Sequence, residues 1–205
     1  MKARQVATTI LGLLPLAACA PEARVDAAEQ RFVVELSEAA ASEIGALGLE
    51  VPVAGRVYVI VSPDTEEEPR TQVGIQGVPF WGTEVEGLQA GGEVVVAPGD
   101  GEAIGHPFAD LSELAPGSYT AQAFLNVYTT FDRADGHQVR MHLNSGAGQS
   151  QWRAPGNAFG PPVSIMVADG GAVDARLTID QVIPPTQTLP EGGSLQQGNP
   201  VDEGG

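Results

Sequence analysis

Leu114-Ala115-Pro116-Gly117-Ser118-Tyr119, running straight into Thr120-Ala121-Gln122-Ala123-Phe124-Leu125-Asn126-Val127-Tyr128, is the stretch that decides the fold. Pro116 and Gly117 turn the chain, because proline presets φ and glycine adopts backbone angles closed to other residues. After the corner, Tyr119, Ala121, Ala123, Leu125 and Val127 recur at every second position. A period of two places all five on one face of an extended strand, and a run this long needs a partner sheet to cover it.

Working outward, the same pattern returns in short pieces. Phe32, Val34 and Leu36 alternate with Val33 and Glu35, and Arg56 to Val61 is a β-branched run between Gly55 and Ser62-Pro63-Asp64. Gln72 to Gln76, Phe80 to Val85, Glu93 to Val96, Val139 to Leu143, Val163 to Val167 and Ala175 to Ile179 are further expected strands. Asp135-Gly136 and Asp169-Gly170-Gly171 fall between such runs as turns. Only Ser37 to Gly45 reads as helical, with Ser37 as its cap.

The corner Leu114-Ala115-Pro116-Gly117-Ser118-Tyr119 resembles the one before a late strand of fibronectin-III and immunoglobulin-like sandwiches. There a tyrosine hydroxyl bonds back to the loop backbone, which implies a structural role for Tyr119. The expected fold is an all-β, immunoglobulin/fibronectin-III-like sandwich over residues 31–185.

The ends differ from this middle. Lys2 and Arg4 precede a mostly apolar run from Val6 to Leu16, followed by Ala17, Ala18 and Cys19. That is the layout of an export signal and is too short for a membrane span. Leu16-Ala17-Ala18-Cys19 resembles the lipobox of bacterial lipoproteins. The resemblance implies lipid on the Cys19 thiol, cleavage before it, and stable anchoring by several acyl chains. It also accounts for the chain's one cysteine. Ala20 rather than aspartate after that cysteine favours an outer membrane, if the host is Gram-negative. Residues 1–18 are thus expected to be a signal peptide, 19–30 a lipidated tether, and 186–205, rich in Gly and Pro, a disordered tail.

Acidic residues outnumber basic ones 26 to 10, for a net charge of −16. Such a chain repels phosphate backbones, which argues against nucleic-acid binding. Partners expected from the address are the membrane, through the lipid, and an envelope protein, peptide or glycan. No cofactor is expected beyond the covalent lipid.

Catalytic signatures are missing. The chain has no G-x-S-x-G elbow, phosphate loop, G-x-G-x-x-G or H-E-x-x-H, and Asn144-Ser145-Gly146-Ala147-Gly148 only looks similar to the first. Acidic residues are too many for any one pair to mark a glycosidase. Polar and aromatic side chains concentrate between Asn126 and Phe159. Trp152, Tyr128, Phe131 and Arg153, together with Trp81, are candidate ligand-binding residues, although both tryptophans also suit the core. His137 and His142 with Asp132 and Asp135 are candidate metal ligands. Five residues apart on a strand, however, the two histidines fall on opposite faces.

Residues 55–64 (GRVYVIVSPD), 67–74 (EEPRTQVG), 79–88 (PFWGTEVEGL), 105–128 (GHPFADLSELAPGSYTAQAFLNVY) and 176–185 (RLTIDQVIPP) resemble a further class. It is the β-rich segment that precedes an enterochelin-esterase-type α/β-hydrolase domain in secreted bacterial proteins. About twenty residues follow Pro185, so the resemblance implies an accessory or binding sandwich and carries over no catalytic residue. The expected function is a lipid-anchored envelope binding module. The alternatives are a hydrolase or its accessory acting on envelope esters or glycans, and a small metal-binding lipoprotein.

Overall fold

The computed structural model describes residues 29–64, 66–142 and 150–185. The expected signal, Cys19, nearly all of the tether and the C-terminal tail lie outside them. Among the described residues no helix is long and apolar enough to cross a membrane.

The elements are β1 (Gln30–Leu36), α1 (Glu38–Ala46), β2 (Val53–Ser62), β3 (Phe80–Leu88), β4 (Glu93–Val96) and β5 (Ile104–His106). They continue as β6 (Gly117–Asp132), β7 (Gln138–His142), β8 (Ala158–Phe159), β9 (Val163–Val167), β10 (Val173–Ile179) and β11 (Gln181–Val182). The smaller sheet has the order β10-β1-β4, with β1 parallel to β10 and antiparallel to β4. The larger has the order β11-β8-β6-β2-β3-β5.

The long strand β6 organises the larger sheet. One of its edges pairs with β2 over Thr120 to Val127. The other meets three short strands in turn: β9 beside Gly117 to Ala121, β8 beside Phe124 and Leu125, and β7 beside Tyr128 to Asp132. β10 and β11 are separated by Asp180 alone, so the chain there passes from one sheet to the other.

Alternation fills the space between the sheets. Phe32, Val34 and Leu36 from β1, with Leu177 and Ile179 from β10, pack into one core with Val57, Val59, Val61, Trp81, Ala121, Ala123 and Leu125. Each large aliphatic side chain buried this way stabilises the fold by roughly 1.5–3 kcal/mol relative to exposure. The molecule is therefore an all-β sandwich, as its strand pattern predicts. α1 adds Ala40, Ala41 and Ile44 to the same core, and Ser37 caps it by accepting a hydrogen bond from the Ala40 amide at 3.1 Å.

The corner before β6 closes as expected. The Tyr119 hydroxyl donates to the Ala115 carbonyl at 2.8 Å. Tyr119→Phe removes only that bond and is expected to cost about 1 kcal/mol, read from urea denaturation. An unchanged midpoint would mean that water replaces the bond without loss.

One expected strand is absent. Residues 72–76 form bends and turns, because this segment closes on itself: the Gly77 amide donates to Gly74 and the Val78 amide to Gln72. At Gly77 a Cβ would lie 2.2 Å from the Gln72 carbonyl oxygen, so the tight return needs glycine there. The three shortest strands, β5, β8 and β11, carry two or three residues each and show no period in sequence.

Candidate functional site

The larger sheet carries a second apolar cluster on the face turned away from the core. Tyr58 and Ile60 of β2 and Phe124 of β6 are buried there, with Phe80, Val73, Val78, Trp152, Phe159 and Ile183 packed around them. These strands alternate, so inward Val57, Val59, Ala123 and Leu125 put Tyr58, Ile60 and Phe124 outward. Bare aromatics on an outer face would be costly in water, and two segments cover them: the loop 63–79 and the short turn Gln151–Arg153. The Trp152 ring sits 4.9 Å from Phe124, 5.1 Å from Tyr58 and 5.4 Å from Phe80, centroid to centroid. Tilted and edge-on packing of this kind suits the ring quadrupoles.

A buried polar network ties the covering segments down. Gln122, fully buried on β6, accepts from the Arg70 amide and donates to Glu68 and to the Gly160 carbonyl, each at 2.8 Å. The Arg70 guanidinium pairs with Glu68 at 2.9 Å, donates to the Trp152 carbonyl at 3.0 Å and lies 4.0 Å over the Phe159 ring. Asn126 and Asn157 hold the other end of the cover. Asn126 donates to the Gln151 side chain, and Asn157 donates to the Gln151 carbonyl, both at 2.8 Å.

The cover is incomplete. Phe80 and Trp152 are only partly buried, His106 lies opposite Phe80 with ring centroids 5.7 Å apart, and Ile104 is 63% exposed. Ile104 pairs with Gly82, where a Cβ would come within 2.6 Å of the Tyr58 ring. The missing side chain at Gly82 lets Tyr58 lean across β3, so the aromatic surface continues to the edge strand β5.

Beyond the aromatics the same face turns polar. Arg56 pairs with Glu84, Arg140 with Glu86 at 3.3 Å, and the Tyr128 hydroxyl donates to Glu84 at 3.3 Å. Burial, and then the Glu84 charge, push the Tyr128 phenol up to about 12, with Arg56 opposing. A raised phenol favours the neutral form in the folded state. Its contribution is therefore complete below the ordinary value near 10 and is lost as pH rises towards 12. A tyrosinate absorbance titration should show one phenol ionising near the top of that window, and Tyr128→Phe should remove it. Loss of no late step in the variant would contradict this environment. His142, opposite Tyr128, is pushed down by burial, and its Nδ1 has no hydrogen-bond partner among the described residues.

The residues singled out in the sequence separate in space. Trp152, Arg153 and Tyr128 belong to the outer face or its cover. Phe131 does not: it pairs with Val139 and shares the odd-numbered face of β6 with Leu125 and Val127. Trp81 must be corrected. It is 0% exposed, points into the core between the sheets and donates its indole N–H to the Ala109 carbonyl at 3.1 Å, so it has no surface with which to touch a ligand.

The four metal candidates do not converge either. His137 sits in the turn with its side chain 80% exposed and Nδ1 3.3 Å from Asp135, while Asp132 accepts from Gln138. His142 pairs with Tyr128, four residues from Asp132 on β6, which places it about 13 Å along the strand. Among the described residues no three His, Cys, Asp or Glu side chains are grouped closely enough to hold an ion.

A cleft of about 400 Å³ opens between β9 and β10, lined by Val163, Ser164, Ile165, Met166, Val173 and Arg176 among others. Its one guanidinium, on Arg176, is already engaged by Glu93. Sequence reading missed Arg70, Gln122 and Ile104, and placed Asn126 and Asn157 in the polar stretch without giving them a role. The available signal was the even register of the long strand, where Gln122, Phe124, Asn126 and Tyr128 are bulky amides and aromatics rather than charges.

No family model, curated protein or solved structure matches this chain.

Proposed function

We propose that this protein is a lipid-anchored binding module of a bacterial cell envelope, without catalytic activity of its own. It binds through the outer face of the larger sheet around Trp152, Phe80 and Ile104. The observation that carries the reading is the incomplete cover of the aromatic cluster. Phe80 and Ile104 stand on the sheet and Trp152 on its covering turn, which a buried hydrogen-bond network holds in place. Concave or flat aromatic surfaces with a few polar groups at their rim are where ligands bind. The anchor rests on Cys19, the chain's single cysteine, at the end of the Leu16-Ala17-Ala18 run. Of the finer fold types, the immunoglobulin-like one is supported by the Tyr119 corner.

Both halves are testable. The full chain should incorporate labelled palmitate in bacterial cells and partition with membranes, and Cys19→Ser should abolish both; a labelled Cys19→Ser chain would sink the anchor. For binding, the detergent-solubilised full chain is screened with neutral and acidic oligosaccharides and extended peptides while tryptophan emission is followed. Trp81 is sealed in the core, so a saturable change reports Trp152. Absence of any change across the screen would overturn this face as the site.

A further inference from the structure

We propose that the ligand is a sugar ring carrying a carboxylate, with the ring against Trp152 and the carboxylate on the Arg153 guanidinium. The inference rests on the binding reading above and adds the chemistry of the ligand.

Charge pairing singles out Arg153. Seven arginines lie among the described residues. Arg31, Arg56, Arg70, Arg133, Arg140 and Arg176 each have a carboxylate within ion-pair distance. Arg153 has none among the described residues, on a chain where acidic groups outnumber basic ones 26 to 10. The segment just before its turn, residues 143–149, reads LNSGAGQ and contains no acid. An exposed guanidinium that pairs with no carboxylate among the described residues is complementary to an anion from outside.

The backbone that carries it is held in advance. Arg153 follows Trp152 on the turn Gln151–Arg153, whose backbone is held by Arg70 at the Trp152 carbonyl and by Asn157 at the Gln151 carbonyl. The backbone is therefore ordered before a ligand arrives, and only the exposed Arg153 side chain has still to settle on the carboxylate. A guanidinium grips a carboxylate through two parallel N–H bonds, and an indole offers a flat apolar surface to the C–H face of a ring.

The alternatives fit less well. A phosphate chain would bring many charges into the field of a −16 protein to meet one cation. An extended peptide would add to the edge strand β5, but β5 has three residues and runs directly into Pro107, which has no N–H to donate. A pyranose with one carboxylate needs one aromatic surface and one guanidinium.

The test uses the detergent-solubilised full chain, tryptophan emission, and two single-ring probes that differ at one group: the methyl glycoside of galacturonate, with one carboxylate, and its methyl ester, with none; the methyl glycoside of mannuronate is a second acid. We expect a saturable change with at least one acid and binding at least tenfold weaker for the ester. Arg153→Gln should bind the acid at least tenfold more weakly and leave the ester unaffected, while Arg153→Lys, which keeps charge but loses the fork, falls between. Circular dichroism on the exposed Arg153 variants checks that they fold. Equal binding of acid and ester, an Arg153→Gln chain that binds acid like the parent, or no response to either acid each overturns the inference. If a neutral sugar or a peptide moves Trp152 instead, the face still binds and only the carboxylate assignment fails. If nothing moves it, both fail.

Discussion

Trp81→Ala is expected to lower the unfolding free energy by about 3–5 kcal/mol, the range seen for emptying a large aromatic site in a packed core. Trp81 is completely buried and packs with residues from both sheets. Its indole N–H also satisfies the Ala109 carbonyl just ahead of the turn Leu111–Glu113, so the variant loses a hydrogen bond as well as volume. Small domains are stable by about 5–15 kcal/mol, so the variant should be marginal at room temperature. Urea denaturation followed by circular dichroism measures it, and Trp81→Phe, which keeps most of the apolar volume, should recover more than half of the loss. A cost below about 1 kcal/mol for Trp81→Ala would contradict a core role and reopen Trp81 as a surface residue.

Arg70→Ala is expected to act differently, costing about 2–3 kcal/mol and loosening one face rather than the whole sandwich. The side chain of Arg70 is 16% exposed, and its removal leaves Glu68 and the Trp152 carbonyl short of a partner and uncovers the Phe159 ring. Trp152 should then shift its emission to the red. Amide exchange should quicken in residues 66–79 and 150–160 while β2 and β6 keep their protection. A double-mutant cycle with Glu68→Gln would show coupling, because the two side chains contact each other directly. Unchanged Trp152 emission together with unchanged exchange in those segments would refute the idea that Arg70 locks the cover. Binding at the Trp152 face should weaken in the same variant, since the Gln151–Arg153 turn would no longer be held in place.

Much of the strand content was legible because one face of each major strand is buried, and burial imposes a period of two on the sequence. Val57, Val59 and Val61, and Ala121, Ala123 and Leu125, show it directly. Segment 72–76 shows how that signal fails. Gln72, Val73, Gly74, Ile75 and Gln76 alternate well enough, yet Ile75 is almost fully exposed and the segment folds back on itself to cover the outer cluster. Five residues of alternation cannot distinguish a strand from a loop that touches a surface. The candidate site was legible only in part, for a related reason. Trp152 and Arg153 could be named as unusual residues in a polar stretch, but the two tryptophans look alike in sequence. What separates them is that Trp81 lies in register with Val59 on the inner face, whereas Trp152 arrives from a covering turn.

The sequence by itself determined the all-β class, the Ser37 helix cap and the Tyr119 corner, because each depends on side chains a few residues apart along the chain. Only the tertiary structure decided the parallel pairing of β1 with β10, the use of β6 as a spine for β7, β8 and β9, and the meeting of Arg70, Gln122 and Trp152. Those partners are separated by 52 and 82 residues in the bonds that join them. Contacts at that range leave no local pattern. They are selected by which sheet faces remain uncovered once the strands have paired, and that depends on all the strands together.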